Sequence, residues 1–147
     1  LPEELVDTAA DFYQYLSVVP EAKIAVETGV SAMHDVTEGG IFGALWEIAE
    51  ASGVGLEIDL KKIPLKQETV EICEFFGINP YELISSGSML MAAKDGNGLV
   101  MELEKAGIPA VVIGKATDSN DRVLLNEEER RFLEPPKTDE LYKALSK

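Results

Sequence analysis

A predicted strand, a turn with two glycines and an apolar helix follow one another at residues 30–53, and this order constrains the fold more than any other feature. Residues 30–34 are short and apolar, which is typical of a strand, and residues 41–51 carry apolar side chains at helical spacing. Gly53 ends the helix. Because a strand that leads straight into a helix places that helix on its sheet, the sequence predicts a layered domain of helices and strands.

The remaining segments continue this mixture of helical and strand periods. Helices are predicted at 2–16, 20–27, 67–76, 99–106 and 138–145, and strands at 55–60, 89–93, 110–116 and 122–125. Residues 119–121 predict a hairpin turn between the last two strands. With 147 residues, of which 46% are hydrophobic, residues 1–147 suit a single domain. The predicted class is α+β, an α/β sandwich in which a mixed β-sheet is covered by helices.

The charge balance excludes several classes of partner. Against 27 Asp and Glu stand 13 Lys and Arg, which gives a net charge of −14. Nucleic acids and anionic membranes are bound by clustered basic side chains, so neither is an expected partner. No apolar run in the sequence approaches the roughly 18 residues of a spanning helix, and no signal-peptide pattern opens it. These features predict a cytoplasmic protein.

One histidine and one cysteine limit the chemistry that side chains can supply. Cys73 cannot form an internal disulfide, and together with His34 it is too little for a dedicated zinc site, so no metal site is predicted. Cys73 falls on the apolar side of its helix, where a buried thiol is expected. His34 stands at a strand end, where a hydrogen-bonded structural histidine is expected more than a general base.

The turn at 35–40 is the strongest candidate for a functional site, and it has two interpretations. Gly39 and Gly40 let the backbone approach a ligand, and the first N–H groups of the following helix form an anion site. The acidic side chains of the turn would repel a bare phosphate, so a divalent cation would have to lie between them and a nucleotide. Alternatively, Asp35 or Thr37 caps the helix, and the glycines only allow tight packing. Spacing alone favours capping.

Two further segments are less specific. Residues 85–88 are three serines and a glycine ahead of a strand. Their backbone N–H groups could form a nest for an anion, and a plain flexible turn is an equal alternative. Residues 127–131, three Glu followed by two Arg, are predicted to form a solvated face.

Several stretches occur in an order that resembles a known family. They are Ala-Met-His-Asp-Val-Thr-Glu-Gly-Gly at 32–40, Leu-Trp-Glu-Ile-Ala-Glu-Ala-Ser-Gly-Val-Gly at 45–55, Ser-Gly-Ser-Met-Leu at 86–90 and Ile-Gly-Lys at 113–115. Over residues 20–117 the sequence resembles the C-terminal domain of the aminoimidazole ribonucleotide (AIR) synthase-related superfamily. That superfamily includes AIR synthase, formylglycinamidine ribonucleotide amidotransferase, selenophosphate synthetase, thiamine monophosphate kinase and the hydrogenase maturation protein HypE. Within the superfamily, the sequence is most similar to the HypE-like, AIR synthase-related branch.

The resemblance implies a two-domain, ATP-dependent enzyme of which this chain is the second half. In that superfamily the N-terminal half dimerises and holds most of the ATP and Mg²⁺ ligands. The C-terminal half closes over the nucleotide and shapes the acceptor-substrate cleft, and the shared chemistry is phosphoryl transfer to an oxygen of the substrate. Carried over residue by residue, the nucleotide- or substrate-binding positions are Asp35, Thr37, Gly39, Gly40, Ser86, Gly87 and Ser88.

Two departures from the family limit what the resemblance implies. HypE proper ends in a tail with a terminal cysteine, whereas this sequence ends Leu145-Ser146-Lys147, so formation of a cyano group is not implied. The N-terminal ATP-binding domain is also absent, and the sequence begins with Leu1 in a segment that already has helical character. We therefore expect ATP and Mg²⁺ to act in the full-length protein, with no tightly bound cofactor and no ATP hydrolysis by this chain alone.

The expected partners are the chain's own N-terminal domain, a second copy in a homodimer, and a small-molecule or protein-tail substrate. The alternative is a stand-alone, non-catalytic binding or regulatory module with the same fold.

Overall fold

The computed structural model describes residues 1–146, which form six α-helices and six β-strands. The helices are α1 (Glu3–Ala10), α2 (Val19–Thr28), α3 (Gly40–Ser52), α4 (Gln67–Phe76), α5 (Gly96–Lys105) and α6 (Leu141–Leu145). The strands are β1 (Ala32–Val36), β2 (Gly55–Asp59), β3 (Ser88–Ala92), β4 (Gly114–Thr117), β5 (Arg122–Asn126) and β6 (Glu129–Phe132). Short 3₁₀ helices lie at Asp11–Tyr15, Leu60–Lys62 and Pro80–Glu82.

The strands form two sheets. β1 and β3 pair antiparallel as a two-stranded sheet, and the other four strands are ordered β4-β2-β5-β6. In the larger sheet β2 and β5 are parallel, whereas β4 and β6 each pair antiparallel with their neighbour. The predicted α+β class, a mixed sheet with helices, is therefore confirmed.

The predicted hairpin between the last two long strands is wrong. β4 and β5 do not pair with each other; they lie on opposite sides of β2. The connection at 118–121 crosses the start of β2, where Leu56 donates its N–H to the Asp121 carbonyl at 2.9 Å. Gly55 makes this crossing possible, because a Cβ there would lie 2.6 Å from the carbonyl oxygens of Ser119 and Asp121.

The helix α3 supplies the centre of the main core. It is bounded by left-handed glycines, Gly39 with φ +84° and Gly53 with φ +64°, which a residue with a Cβ adopts only with strain. Its buried apolar side chains pack on the larger sheet and on the segment after β6. The buried members of this cluster are Phe42, Leu45, Ala49, Leu56, Ile58, Leu60, Leu124 and Leu133.

Other predicted elements shift in detail. The first predicted helix stays α-helical only to Ala10 and continues as the 3₁₀ helix Asp11–Tyr15. The predicted strand at 110–116 is shorter, since β4 begins at Gly114. Residues 127–131 are exposed as expected, but part of them forms β6, a charged edge strand. Within residues 1–146, no helix is long and apolar enough to cross a membrane.

Candidate functional site

Strand pairing brings the two predicted loops together at one end of the small sheet. In the β1–β3 register Val36 lies opposite Ser88 and Asp35 lies opposite Met89. The turn at 35–40 leaves β1 at this end, and the loop at 86–88 enters β3 at the same end. Residues separated by about fifty positions in the sequence therefore form one candidate edge.

The seven predicted residues divide into two groups by exposure. The polar ones, Asp35, Thr37, Ser86 and Ser88, are exposed, whereas Gly39 and Gly40 are buried and Gly87 is half-buried. Only the polar group has side chains free to meet a ligand in this arrangement. The glycines instead set the positions of the backbone around them.

Gly40 is fixed by its neighbours. Its φ is +65°, and a Cβ on it would lie 2.6 Å from the Leu83 carbonyl oxygen and closer still to that of Tyr81. Its N–H donates to the Thr37 carbonyl at 3.1 Å. Gly40 thus lets the start of α3 pack against the segment after α4, the packing role that the second interpretation of the turn assigned to it.

The capping part of that interpretation is wrong. Neither Asp35 nor Thr37 caps α3, which carries no side-chain cap at its Gly39 N-cap position. Instead the Gly39 N–H donates to Asp139 Oδ2 at 2.6 Å, from a residue one hundred positions away in the sequence. The other oxygen, Asp139 Oδ1, accepts from the Leu141 N–H at 2.8 Å. Asp139 is only 5% exposed, so this carboxylate is shielded from water at the helix end, where a negative charge is favourable.

Asp139 is a functional candidate that the sequence did not single out. It lies in the charged C-terminal segment, for which the sequence pattern predicts only a short helix and no functional site. The only signal is the preceding Pro135-Pro136 pair, which stiffens the chain but does not say which helix end it meets.

The loop at 86–88 is covered by the N-terminal segment. Gly87 has φ +101°, and a Cβ on it would overlap the carbonyl of Tyr15 and lie 3.2 Å from Leu16 Cα. The Ser88 N–H donates to the Ser85 carbonyl at 3.2 Å, which closes a defined turn. Only the flanking serine side chains remain exposed.

His34 and Cys73 have structural surroundings, as expected. His34 Nε2 lies 2.5 Å from Glu47 Oε2, and its Nδ1 lies 2.5 Å from the Asp35 carbonyl oxygen, so both ring nitrogens have partners. Cys73 is buried, and this burial, reinforced by the negative charge of Glu140, raises the pKa of its thiol. A neutral buried thiol is a poor nucleophile.

No metal centre is assembled by the part of the chain that the structure describes. Among residues 1–146, no three His, Cys, Asp or Glu side chains are grouped to hold a metal ion. The candidate edge therefore offers hydroxyl donors and the exposed carboxylates of Asp35 and Glu38, rather than a complete site for a nucleotide with its cation.

Solved structures share this fold. The HypE of E. coli, a hydrogenase maturation protein, superposes with a TM-score of 0.75 at 23% identity, covering 86% of this chain and 42% of that chain. A HypE structure in complex with ATP superposes with a TM-score of 0.69 at 21% identity, covering 80% of this chain and 39% of that chain. The shared fold makes up less than half of each of these solved chains.

Sequence comparison places the chain in a family. The family described as AIR synthase related protein, C-terminal domain, matches residues 6–126, and the chain belongs to this family. The carbamoyl dehydratase HypE of Rhodobacter capsulatus is 34% identical over 97 residues, which are 63% of this chain and 28% of the relative. The phosphoribosylformylglycinamidine synthase subunit PurL of Corynebacterium aurimucosum is 36% identical over 102 residues, 67% of this chain and 12% of the relative. The chain spans less than a third of either relative.

Proposed function

We propose that this chain is the C-terminal domain of an ATP-dependent enzyme of the AIR synthase and HypE kind. In this role it closes over a nucleotide that is held mainly by the N-terminal domain, and it shapes the cleft for the acceptor substrate. The reaction transfers a phosphoryl group to an oxygen atom of that substrate. The observation that carries the proposal is the β1–β3 register, which brings the 35–40 turn and the 86–88 loop to one exposed edge. Family membership and the ATP complex of a HypE structure support the nucleotide assignment.

The exposed side chains suit contact with a phosphate or a polar acceptor. Thr37, Ser86 and Ser88 carry hydroxyls that can donate to phosphate or carbonyl oxygens. Asp35 would repel phosphate directly. Its role is therefore to accept a hydrogen bond, either from an N–H or O–H group of the acceptor substrate or from water bound to a cation. These residues bind and orient; the chain supplies no complete set of cation ligands.

The remaining parts of the site must come from another domain. With a net charge of −14, this chain is poorly equipped to hold a polyanion alone. We infer an N-terminal domain of the same protein as the direct partner, with a homodimer and Mg²⁺ belonging to the full-length enzyme. The chain alone is expected to hydrolyse no ATP, and measurable Mg²⁺-dependent phosphate release by the purified chain would contradict this.

One observation favours a second candidate function, a non-catalytic binding module. The Gly39 N–H, which a phosphate at the start of α3 would use, already donates to Asp139. The reading frame upstream of Leu1 separates the two functions. An in-frame domain with paired aspartates and glycines supports the enzyme, and a start codon just before Leu1 supports the module.

Substitution at the candidate edge tests the enzymatic proposal. In the intact protein, Asp35→Ala and Thr37→Ala are expected to lower kcat/KM for the Mg²⁺-dependent reaction at least tenfold, a loss of roughly 1.4 kcal/mol. Asp118→Ala is the matched control. Asp118 is an exposed aspartate in the loop that crosses the start of β2, and this loop lies near the end of α3 opposite to the candidate turn. If the Asp35 and Thr37 variants fold and retain the kcat/KM of the control, the proposal is wrong.

A further inference from the structure

The last segment of the chain crosses the start of α3. Residues 133–146, here called the C-terminal strap, begin at Leu133, which is buried in the main core and donates its N–H to the Arg122 carbonyl at 2.8 Å. The strap then passes Pro136 close to Gly39, continues to Asp139, which accepts from the Gly39 N–H, and ends in α6. It lies beyond residue 126, where the family match ends. The strap therefore lies outside the residues that the family model matches.

The contact between strap and helix uses a group that an anionic ligand would use. Asp139 Oδ2 accepts from the Gly39 N–H at 2.6 Å, and the Gly40 N–H is engaged by the Thr37 carbonyl. A carboxylate and a phosphate carry the same sign of charge and compete for the same backbone donors at a helix start. A ligand phosphate and Asp139 cannot both accept from Gly39.

Several features of the closed strap favour its release. Glu140 is 4% exposed, and its Oε2 is buried without a hydrogen-bond partner, although Oε1 pairs with Lys143 at 2.6 Å. A buried carboxylate oxygen with no donor is destabilising, and opening would return it to water. Pro136 faces Gly39 and Gly43, which present no side chains, so this contact buries little apolar surface.

We propose that the C-terminal strap is a cover acting within the same chain, in which Asp139 occupies the anion position at the start of α3. Anion binding at the 35–40 turn and closure of the strap exclude each other. This inference rests on the proposed function, because it takes the phosphates of a nucleotide as the competing anion. The strap keeps the Gly39 donor covered until a ligand displaces it.

Affinity for MgATP in the intact protein tests the cover. Asp139→Ala removes the competing acceptor and is expected to tighten MgATP binding about tenfold, equivalent to about 1.4 kcal/mol. Asp139→Asn, which keeps the shape but loses the charge, is expected to fall between Asp139→Ala and the native protein. Asp118→Ala removes an exposed aspartate near the opposite end of α3, away from Gly39, and is expected to leave the affinity unchanged. Titration calorimetry gives the affinities, and thermal melting identifies variants that fold.

Hydrogen exchange of the strap supplies the second measurement. MgATP is expected to accelerate amide exchange in residues 133–146 of the native protein, because the Glu140 N–H loses the Glu82 carbonyl when the strap opens. If MgATP binds but neither Asp139 variant binds it more tightly, or if strap exchange is unchanged, the cover is refuted and the proposed function stands. If neither the native protein nor any folded variant binds MgATP, both are refuted.

Discussion

The two glycine turns of the candidate site are both covered by other parts of the chain, but through different interactions. The 35–40 turn is covered by the C-terminal strap, through a hydrogen bond from Gly39 to a carboxylate. The 86–88 loop is covered by the N-terminal segment, where the Tyr15 backbone packs against Gly87. Water or a phosphate can replace a carboxylate acceptor, whereas a backbone in van der Waals contact can only be pushed aside. The difference indicates a replaceable cover on one turn and a fixed cover on the other.

Gly40→Ala is expected to have the largest effect, because it tests the fixed part of the first turn. The new Cβ would overlap the carbonyl oxygens of Tyr81 and Leu83 while φ is +65°. We expect a loss of about 4 kcal/mol in the free energy of unfolding, measured by urea denaturation. Gly53→Ala is the matched control, since its φ is +64° and nothing lies within 4 Å of the new Cβ. That variant should lose only about 1 kcal/mol, and equal losses would show that the carbonyl contacts are unimportant.

Gly87→Ala is expected to come next and tests the fixed cover on the second loop. Its Cβ would overlap the Tyr15 carbonyl, so the 3₁₀ helix Asp11–Tyr15 must move. We expect a loss of about 3 kcal/mol. Gly29→Ala has φ +100° with open space around the Cβ and is expected to lose about 1 kcal/mol. Similar losses in both variants would mean that the N-terminal segment yields easily, and the contrast between the two covers would fail.

These two glycines illustrate what sequence could and could not predict. Local spacing predicted α3, β2 and α4 within a residue or so, because periodicity and terminal glycines act over a few positions. The family resemblance, rather than local spacing, assigned Asp35 and Ser88 to nucleotide or substrate binding, and that assignment stays a prediction. The packing of Gly40 and Gly87 depends on carbonyls from distant segments, which no local pattern encodes.

The errors have the same physical origin. The predicted hairpin at 119–121 is wrong because strand pairing depends on contacts across the whole sheet. Gly55 lets the connection cross β2, and the turn residues themselves do not indicate this crossing. The predicted helix cap is wrong because Asp139, which tertiary folding brings to the start of α3, accepts the Gly39 N–H in place of the nearby Asp35 or Thr37. β6 was missed because a charged edge strand lacks an apolar alternation.

Asp139→Asn tests the replaceable cover and is expected to have a smaller effect on stability. It exchanges a charged acceptor for a neutral one at the start of α3. We expect the free energy of unfolding to fall by about 1 kcal/mol, well below the losses at Gly40 and Gly87. A loss as large as that of Gly87→Ala would contradict a replaceable contact.

Alkaline pH is expected to weaken the region beneath the strap slightly. The pKa of Cys73 is raised above its ordinary 9.0 by burial and by Glu140, so the unfolded chain releases this proton at lower pH than the folded one. The stabilisation is complete below pH 9.0 and is lost as pH rises towards the folded-state pKa. Denaturation at a series of pH values should show a steeper alkaline decline in the native chain than in Cys73→Ala. Parallel declines would exclude this contribution.

The smallest change in stability is expected at the exposed serines of the candidate edge. Ser86→Ala and Ser88→Ala should alter the free energy of unfolding by less than about 0.5 kcal/mol, because both residues are exposed. Under the proposed function, the same substitutions in the intact protein lower kcat/KM. A pair of variants that lost stability but kept activity would assign these serines to structure.

The most direct test of the central claim is a crystal structure of the intact protein with Mg²⁺ and a non-hydrolysable ATP analogue. We predict that polar atoms of Thr37 and of at least one serine in the 86–88 loop lie within about 3.2 Å of the nucleotide or acceptor, with Asp139 displaced from Gly39. A structure in which the analogue binds while both loops face solvent, far from the ligand, would contradict the account.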